Sequence, residues 1–529
     1  MRVMLLTAAL LISIAARSEA ITRDDLVLRV ESGKLQGVLD TGVRAFKNIP
    51  YAVPPVGAQR WRPPQPPTKW NDVRDATGFG PPCPTIDGSK VSQGAVLSGA
   101  YDIFMGVPMA QGASEDCLHL NVWTPIGAKK AAVMVWIQPI GPSAYPLFDG
   151  ASFARDDVVM VTMDYRQLTL GNFAHPALTQ EAKTQEPLSR FQTMDQLAAL
   201  TWIKKNIAAF GGDPHNVTVF GESAGAASTL QLLAIPASRG LIHKAIVQSG
   251  NGWWSPFSLK QMEQLGSWAA TYAGLPGADA TAEQLRALPV ESLPQFGIYS
   301  IDGRLQPENG TTAIASGHIV DIPLLIGWND FDGSSLRGIG AESIAQSTPE
   351  PVKAAYATEG KSGADLGYQM YTDSHVGAPA RWIATRTSRG APTYLYLFSY
   401  VRTANRGKAR GAAHGDDISY VFDTWGKTYP QLELSDEDRA MTQRMHTLWV
   451  NFAKHGRPTA AGVPEWPRYD RKSDRLMELG TTAQVRTNFR RQQLDAQEAA
   501  MPETISLSTK SVDKLLERVA NGQMPERKK

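Results

Sequence analysis

A chain of 529 residues with 43% hydrophobic and 20% charged side chains carries ample apolar material for a large core, which excludes a largely disordered protein. Its formal net charge is only +2, and no long basic block interleaves with aromatics, so no electrostatic footprint for nucleic acid is present. Small molecules are the expected partners.

Residues 1–20 begin with Arg2, run apolar from Val3 to Ala16 and end in Arg17-Ser-Glu-Ala20, with small residues at the minus three and minus one positions. This is the pattern of a signal peptide cleaved near Ala20, and charged Arg23-Asp-Asp25 follows; a buried N-terminal helix is the competing reading. The expected mature protein is therefore secreted or periplasmic. No later stretch approaches the roughly 18 to 20 apolar residues that span a bilayer, so no membrane span is expected.

Further along, the proline-rich stretch 50–67 shows neither helical nor strand alternation and is expected to wrap the surface, with Phe46, Tyr51, Trp61 and Trp70 seeking burial. Cys83 and Cys117 are the two cysteines; in an exported chain such a pair is most simply one disulfide, with two buried free thiols as the alternative. Without a nearby His or acidic cluster they make a poor zinc site, and no metal is expected. Tyr101, Phe104 and Met105 lie in an insertion read either as a lid or as a satellite core.

Apolar runs bounded by turn residues follow at 132–137, 158–163, 217–220, 245–248, 323–326 and 393–400, and read as buried strands. Between them, the stretch 193–207 places Leu197, Leu200, Ile203 and Ile207 on one helical face. Alternating strand and helix predicts a mostly parallel sheet covered on both sides. The charged tail from Arg486 onward is expected to be a peripheral helix or partly disordered.

One motif carries chemistry. Gly221-Glu-Ser-Ala-Gly225 follows the apolar run 217–220 and leads into a small-residue helical run. It reads as a nucleophile elbow: the serine hydroxyl is exposed at a sharp strand-to-helix turn, flanking glycines leave room for the backbone, and the helix N-terminus favours negative charge. A serine nucleophile further requires a base, a carboxylate to orient that base, and donors for the oxyanion.

Three segments extend this reading. Phe46-Lys-Asn-Ile-Pro-Tyr-Ala-Val-Pro-Pro-Val-Gly57, Glu115-Asp-Cys-Leu-His-Leu-Asn-Val-Trp-Thr-Pro125 and the elbow region 206–225 resemble the signatures of the type B carboxylesterases. These form the cholinesterase-like branch of the α/β-hydrolases, and the chain resembles their bacterial para-nitrobenzyl-esterase-like members. The resemblance covers nearly all of residues 21–529, read as one catalytic domain. It implies an α/β-hydrolase fold, a central mostly parallel sheet with large insertions over the active site.

The same resemblance implies Ser223 as nucleophile, His414 in Gly411-Ala-Ala-His-Gly-Asp-Asp417 as base, and Asp332 in Gly327-Trp-Asn-Asp-Phe-Asp-Gly333 as the orienting acid, with Asp330 the alternative. Glu222, Asp417 and Ser249 fall at supporting positions, and Cys83 and Cys117 match a disulfide loop that borders the gorge entrance. Trp253 and Trp254 are candidates for the substrate pocket, with packing under a loop the alternative. No cofactor is implied.

The chain departs from the family where oxyanion donors should lie. In place of a His-Gly-Gly-Gly-Phe loop it has Gln138-Pro-Ile-Gly-Pro142. By position the donors become the N–H groups of Ile140 and Gly141, with Ala224 N–H from the elbow; the Gln138 side-chain amide is a candidate replacement. Pro139 and Pro142 restrict the loop. Nearby, Asp164-Tyr-Arg-Gln-Leu168 stands where the family favours Asn-Tyr-Arg, so the supporting loop is expected to be remodelled too. The expected function is hydrolysis of small-molecule carboxylic esters through an acyl-enzyme. The alternatives are a remodelled member with weak or unusual activity and a catalytically silent binding protein.

Overall fold

In the computed structural model the described residues are 24–86, 109–184, 186–253, 255–336 and 340–524, with the side chains of 507 and 508 excepted, together with the backbone of the short strands Ala95–Leu97 and Ile103–Met105. The expected signal peptide, Tyr101 and Trp254 lie outside them, as do the side chains of Phe104 and Met105.

Eleven strands form the main sheet. In chain order they are β1 (Val38–Asp40), β2 (Val43–Pro50), β3 (His119–Thr124), β4 (Ala131–Ile137), β5 (Val158–Met163), β6 (Gly212–Glu222), β7 (Lys244–Gln248), β8 (Leu324–Asn329), β9 (Thr393–Phe398), β10 (Arg475–Leu479) and β11 (Ala483–Thr487). Their spatial order is β11-β10-β9-β8-β7-β6-β4-β5-β3-β2-β1. From β5 across to β10 every neighbouring pair is parallel, and antiparallel pairs close both edges.

The continuous apolar runs have a direct cause. A parallel strand covered on both faces is apolar at most positions, and β5, β8 and β9 are buried at each residue. Alternate residues serve different cores. Val133, Val135, Ile137, Val159, Val161 and Val219 face one apolar cluster, while Met134, Trp136, Met160 and Phe220 face the other.

Helix α1 (Phe191–Asn206) packs Leu197, Leu200 and Ile203 into the first cluster. The α-helix stops one residue before Ile207, which is buried in the 3-10 turn that follows. α2 (Ala224–Leu233) leaves the elbow, and the short α3 (Asp416–Phe422) follows the His414 loop. On the other face lies α4 (Asp436–His455), opened by a capping box between Ser435 and Asp438 and closed by Gly456 in the left-handed region. It presents Met445, Leu448, Trp449 and Phe452 to the second cluster.

The tail is more firmly held than its charge suggests. α5 (Arg491–Ala520) buries Leu494 and Val512, and its Asp495 and Glu498 pair with Arg381, which also binds Asp474. Around the proline-rich stretch Phe46, Tyr51 and Trp61 are buried, whereas Trp70 is half-buried against Gly33. Cys83 and Cys117 form a disulfide, their Cα atoms 4.9 Å apart. Among the described residues no helix is long and apolar enough to cross a membrane.

Candidate active site

The carboxyl ends of β6, β7 and β8 and the loop after β9 meet above the sheet. Ser223 stands between the end of β6 and the start of α2, with φ 54° and ψ −120°. That conformation is strained for any residue with a side chain and persists because its surroundings fix it. The Ser223 N–H donates to Gln248 O at 3.0 Å, tying the turn to β7. A Cβ on Gly225 would lie 1.9 Å from Ile137 O, and one on Gly221 would lie 2.5 Å from the Gly225 carbonyl carbon. Both glycines are therefore demanded by the close approach of α2 to the end of β4.

Asp332 opens a 3-10 turn three residues beyond β8. Its Oδ2 accepts from Ser249 Oγ at 2.8 Å and from the Asn329 N–H at 2.7 Å. Its Oδ1 faces His414 Nδ1 at 2.6 Å. On the other side of the ring, His414 Nε2 is 2.8 Å from Ser223 Oγ. The His414 N–H donates to Ser334 Oγ at 2.8 Å, which fixes its loop to the turn that bears Asp332. Asp330 points elsewhere: its carboxylate accepts from the Ala412 N–H at 2.6 Å, and burial pushes its pKa up to about 6.

Carboxylates crowd the imidazole. Burial works against the charged ring, but Glu222 and Asp332 outweigh it and raise the His414 pKa. Glu222 Oε1 lies 3.2 Å from His414 Nε2. Burial, followed by the like charges of Asp417 and Asp332, pushes the Glu222 pKa up to about 8 against the attraction of His414. Glu222 and Asp332 thus flank the ring on its two nitrogens, Glu222 at Nε2 and Asp332 at Nδ1. Asp417 does not touch His414 directly. It accepts from Gln248 Nε2 at 2.7 Å and from Asn329 Nδ2 at 3.3 Å, and burial pushes its pKa up to about 6.

Gln248 and Asn329 are contributors that the sequence reading did not single out. Asn329 Nδ2 also donates to Ala413 O at 2.7 Å, next to His414, and Gln248 Oε1 accepts from Trp449 Nε1 at 3.0 Å. A signal existed. Each is a lone amide residue following an apolar run at the carboxyl end of a parallel strand, where α/β sheets place their sites.

The oxyanion loop differs from its expected arrangement. The Gly141 N–H donates to Gln167 Oε1 at 2.9 Å, and Gln167 Nε2 donates back to Gly141 O at 2.7 Å. Ile140 is 44% exposed, and its N–H meets no acceptor among the described residues. Ala224 N–H begins α2, where no preceding turn supplies an acceptor. Gln138 is fully buried, with neither amide atom paired among the described residues. Trp253 is also buried, in the apolar cluster that contains Ile383. Among the described residues no group of three or more His, Cys, Asp or Glu side chains is arranged to hold a metal ion.

A mostly parallel sheet carrying a strained serine between β6 and α2, with an acid after β8 and a histidine after β9, defines an α/β-hydrolase. The Carboxylesterase family matches residues 24–350 and 353–497. Among similar proteins, the para-nitrobenzyl esterase of Bacillus subtilis (strain 168) is 33% identical over 477 residues, covering 84% of this chain and 92% of that protein. The fumonisin B1 esterase of Sphingopyxis macrogoltabida is 33% identical over 490 residues, covering 86% of each. A solved PNB esterase structure superposes with a TM-score of 0.74 at 30% identity, covering 89% of this chain and 99% of that one. A Geobacillus stearothermophilus carboxylesterase gives a TM-score of 0.75 at 29% identity, covering 89% and 100%. The chain belongs to the carboxylesterase family and is a carboxylic ester hydrolase acting on small-molecule esters.

Proposed function

We propose that the protein is an exported serine esterase that works through an acyl-enzyme on Ser223. The observation that carries this reading is the aligned contact set of His414, with Nε2 2.8 Å from Ser223 Oγ and Nδ1 2.6 Å from Asp332 Oδ1. Asp332 accepts from Nδ1–H, which leaves the Nε2 lone pair to receive the serine proton. Ser223 Oγ attacks the ester carbonyl, His414 takes its proton and then delivers it to the leaving alcohol, and the acyl group stays on Oγ. Water, deprotonated by His414, attacks the acyl-enzyme and releases the acid. The sequence of residues 1–20 supports export. Purified, signal-free protein is expected to hydrolyse p-nitrophenyl esters of graded acyl length; a folded protein inert towards all of them would favour the silent binding reading.

Commitment of Gly141 N–H to Gln167 favours modest rates over full family efficiency. Each missing oxyanion donor costs about 100- to 1000-fold. The Gln138 amide is unpaired among the described residues but sealed from solvent, so it acts as a substitute donor only if substrate binding opens the loop. Gln138→Ala is expected to lower kcat about 10- to 100-fold with little change in KM. Unchanged ester turnover in that variant rejects the substitute-donor role.

The pH profile carries a second expectation. Only neutral His414 accepts the serine proton, so kcat/KM rises with pH through the His414 pKa. Glu222 favours the charged ring and so holds that limb at higher pH. Glu222→Gln removes the attraction, and the rising limb is expected to move to lower pH by about one unit. A limb that stays in place or moves upward would show that Glu222 does not act on His414 electrostatically.

A further inference from the structure

The segment that follows β5 holds the oxyanion loop at three points. Asp164 accepts from both the N–H and the Oγ–H of Ser143, the former at 2.9 Å. Tyr165 Oη donates to Gln138 O, with a longer contact of 3.3 Å to Pro139 O. Gln167 pairs with both polar atoms of Gly141. The intervening Arg166 turns the opposite way and binds both oxygens of Asp195 on α1, at 2.8 and 2.6 Å, so the segment rests on a rigid helix. Leu168 adopts φ 48°, a conformation a leucine holds only when its surroundings impose it. Gly141 itself sits at φ 127°, open to glycine alone.

An amide has one hydrogen, and that of Gly141 is spent on Gln167. Pro139 and Pro142 have none. Within 139–142 the remaining donor is Ile140 N–H, which has no partner among the described residues and lies on an exposed residue. We infer that Gln167 is the positioning residue of the oxyanion loop: it clamps Gly141 so that Ile140 N–H and Ala224 N–H are the backbone donors of the oxyanion hole. The inference rests on the serine esterase reading and adds to it the residue that shapes the hole. In this arrangement a side-chain amide does the work that loop glycines perform by backbone conformation.

Gln167→Met keeps the volume and removes both hydrogen bonds. It is expected to lower kcat about 10- to 100-fold with KM changed less than about threefold. Affinity for an alkyl trifluoromethyl ketone, whose adduct with Ser223 places an oxyanion in the hole, should fall by the same factor as kcat/KM. Unchanged kcat and ketone affinity overturn the inference. So does a gain in both, which would mean that freeing Gly141 N–H helps catalysis more than loss of the clamp harms it.

Should Gln167→Met fail to fold, Gln167→Glu decides. A protonated carboxyl both accepts from Gly141 N–H and donates to Gly141 O, whereas a carboxylate only accepts. Its kcat relative to wild type is therefore expected to be restored at low pH and to fall as pH rises. Wild-type kcat at every pH, or a loss without rescue, overturns the inference. Wild-type activity is the control: an inert wild type defeats the serine esterase reading, while an active wild type with indifferent Gln167 variants defeats this inference alone.

Discussion

Ser223→Ala is expected to lower kcat for p-nitrophenyl ester hydrolysis by about 10,000- to 1,000,000-fold, and His414→Ala by a similar factor. The two losses should not add, because base and nucleophile act as a unit; the double variant should be no slower than either single one. The fold should be indifferent to the serine change. Ser223 occupies the N-cap of α2, yet its side chain makes no capping hydrogen bond, so Ala removes the reacting oxygen without removing a support of the helix. Equal melting temperatures with a collapse in kcat are the expected pair of results. A variant that retains more than about a tenth of wild-type kcat would place the nucleophile elsewhere.

Asp332→Asn is expected to cost about 10,000-fold in kcat, and Asp330→Asn less than about tenfold. The two carboxylates are two residues apart in sequence, but their surroundings differ. Asp332 gathers the hydroxyl of Ser249, the N–H of Asn329 and the imidazole of His414, so it holds the ring in one tautomer. An asparagine cannot accept at every one of these contacts, and an amide NH2 turned towards Nδ1 would force the proton onto Nε2, where it blocks removal of the serine proton. Asp330 accepts from Ala412 N–H instead and has a raised pKa near 6, so its replacement disturbs a loop contact and not the ring. Parallel kcat/KM measurements on the two variants check this, and the reverse ranking would contradict it.

Much of this arrangement was legible in the residues, for reasons of burial. The central strands are covered on both faces, so their apolar runs stand out from the polar turns between them, and the order of strands and helices follows. The elbow was legible because sterics leave few choices: a Cβ on Gly225 would meet Ile137 O at 1.9 Å. The site's hydrogen-bond directions were not. Position along the chain named Ile140 and Gly141 as donors, but where an N–H points depends on φ and on what lies beside it. The partner of Gly141 is a side chain 26 residues away, on a loop that departs from the family pattern. Gln248 and Asn329 escaped for a related reason, since their amides act across strands on Asp417. The charged tail likewise reads as peripheral until Arg381 is seen gathering Asp495 and Glu498 from α5.

Ser223 Oγ is proposed as the atom that carries the acyl group. The most direct test is labelling of the full chain with a fluorophosphonate, followed by mass mapping of the modified peptide and assay of residual ester hydrolysis. One adduct per chain on the peptide containing Ser223, with activity lost in proportion, is the expected result. An adduct on another residue, or loss of labelling while ester turnover persists, would contradict it.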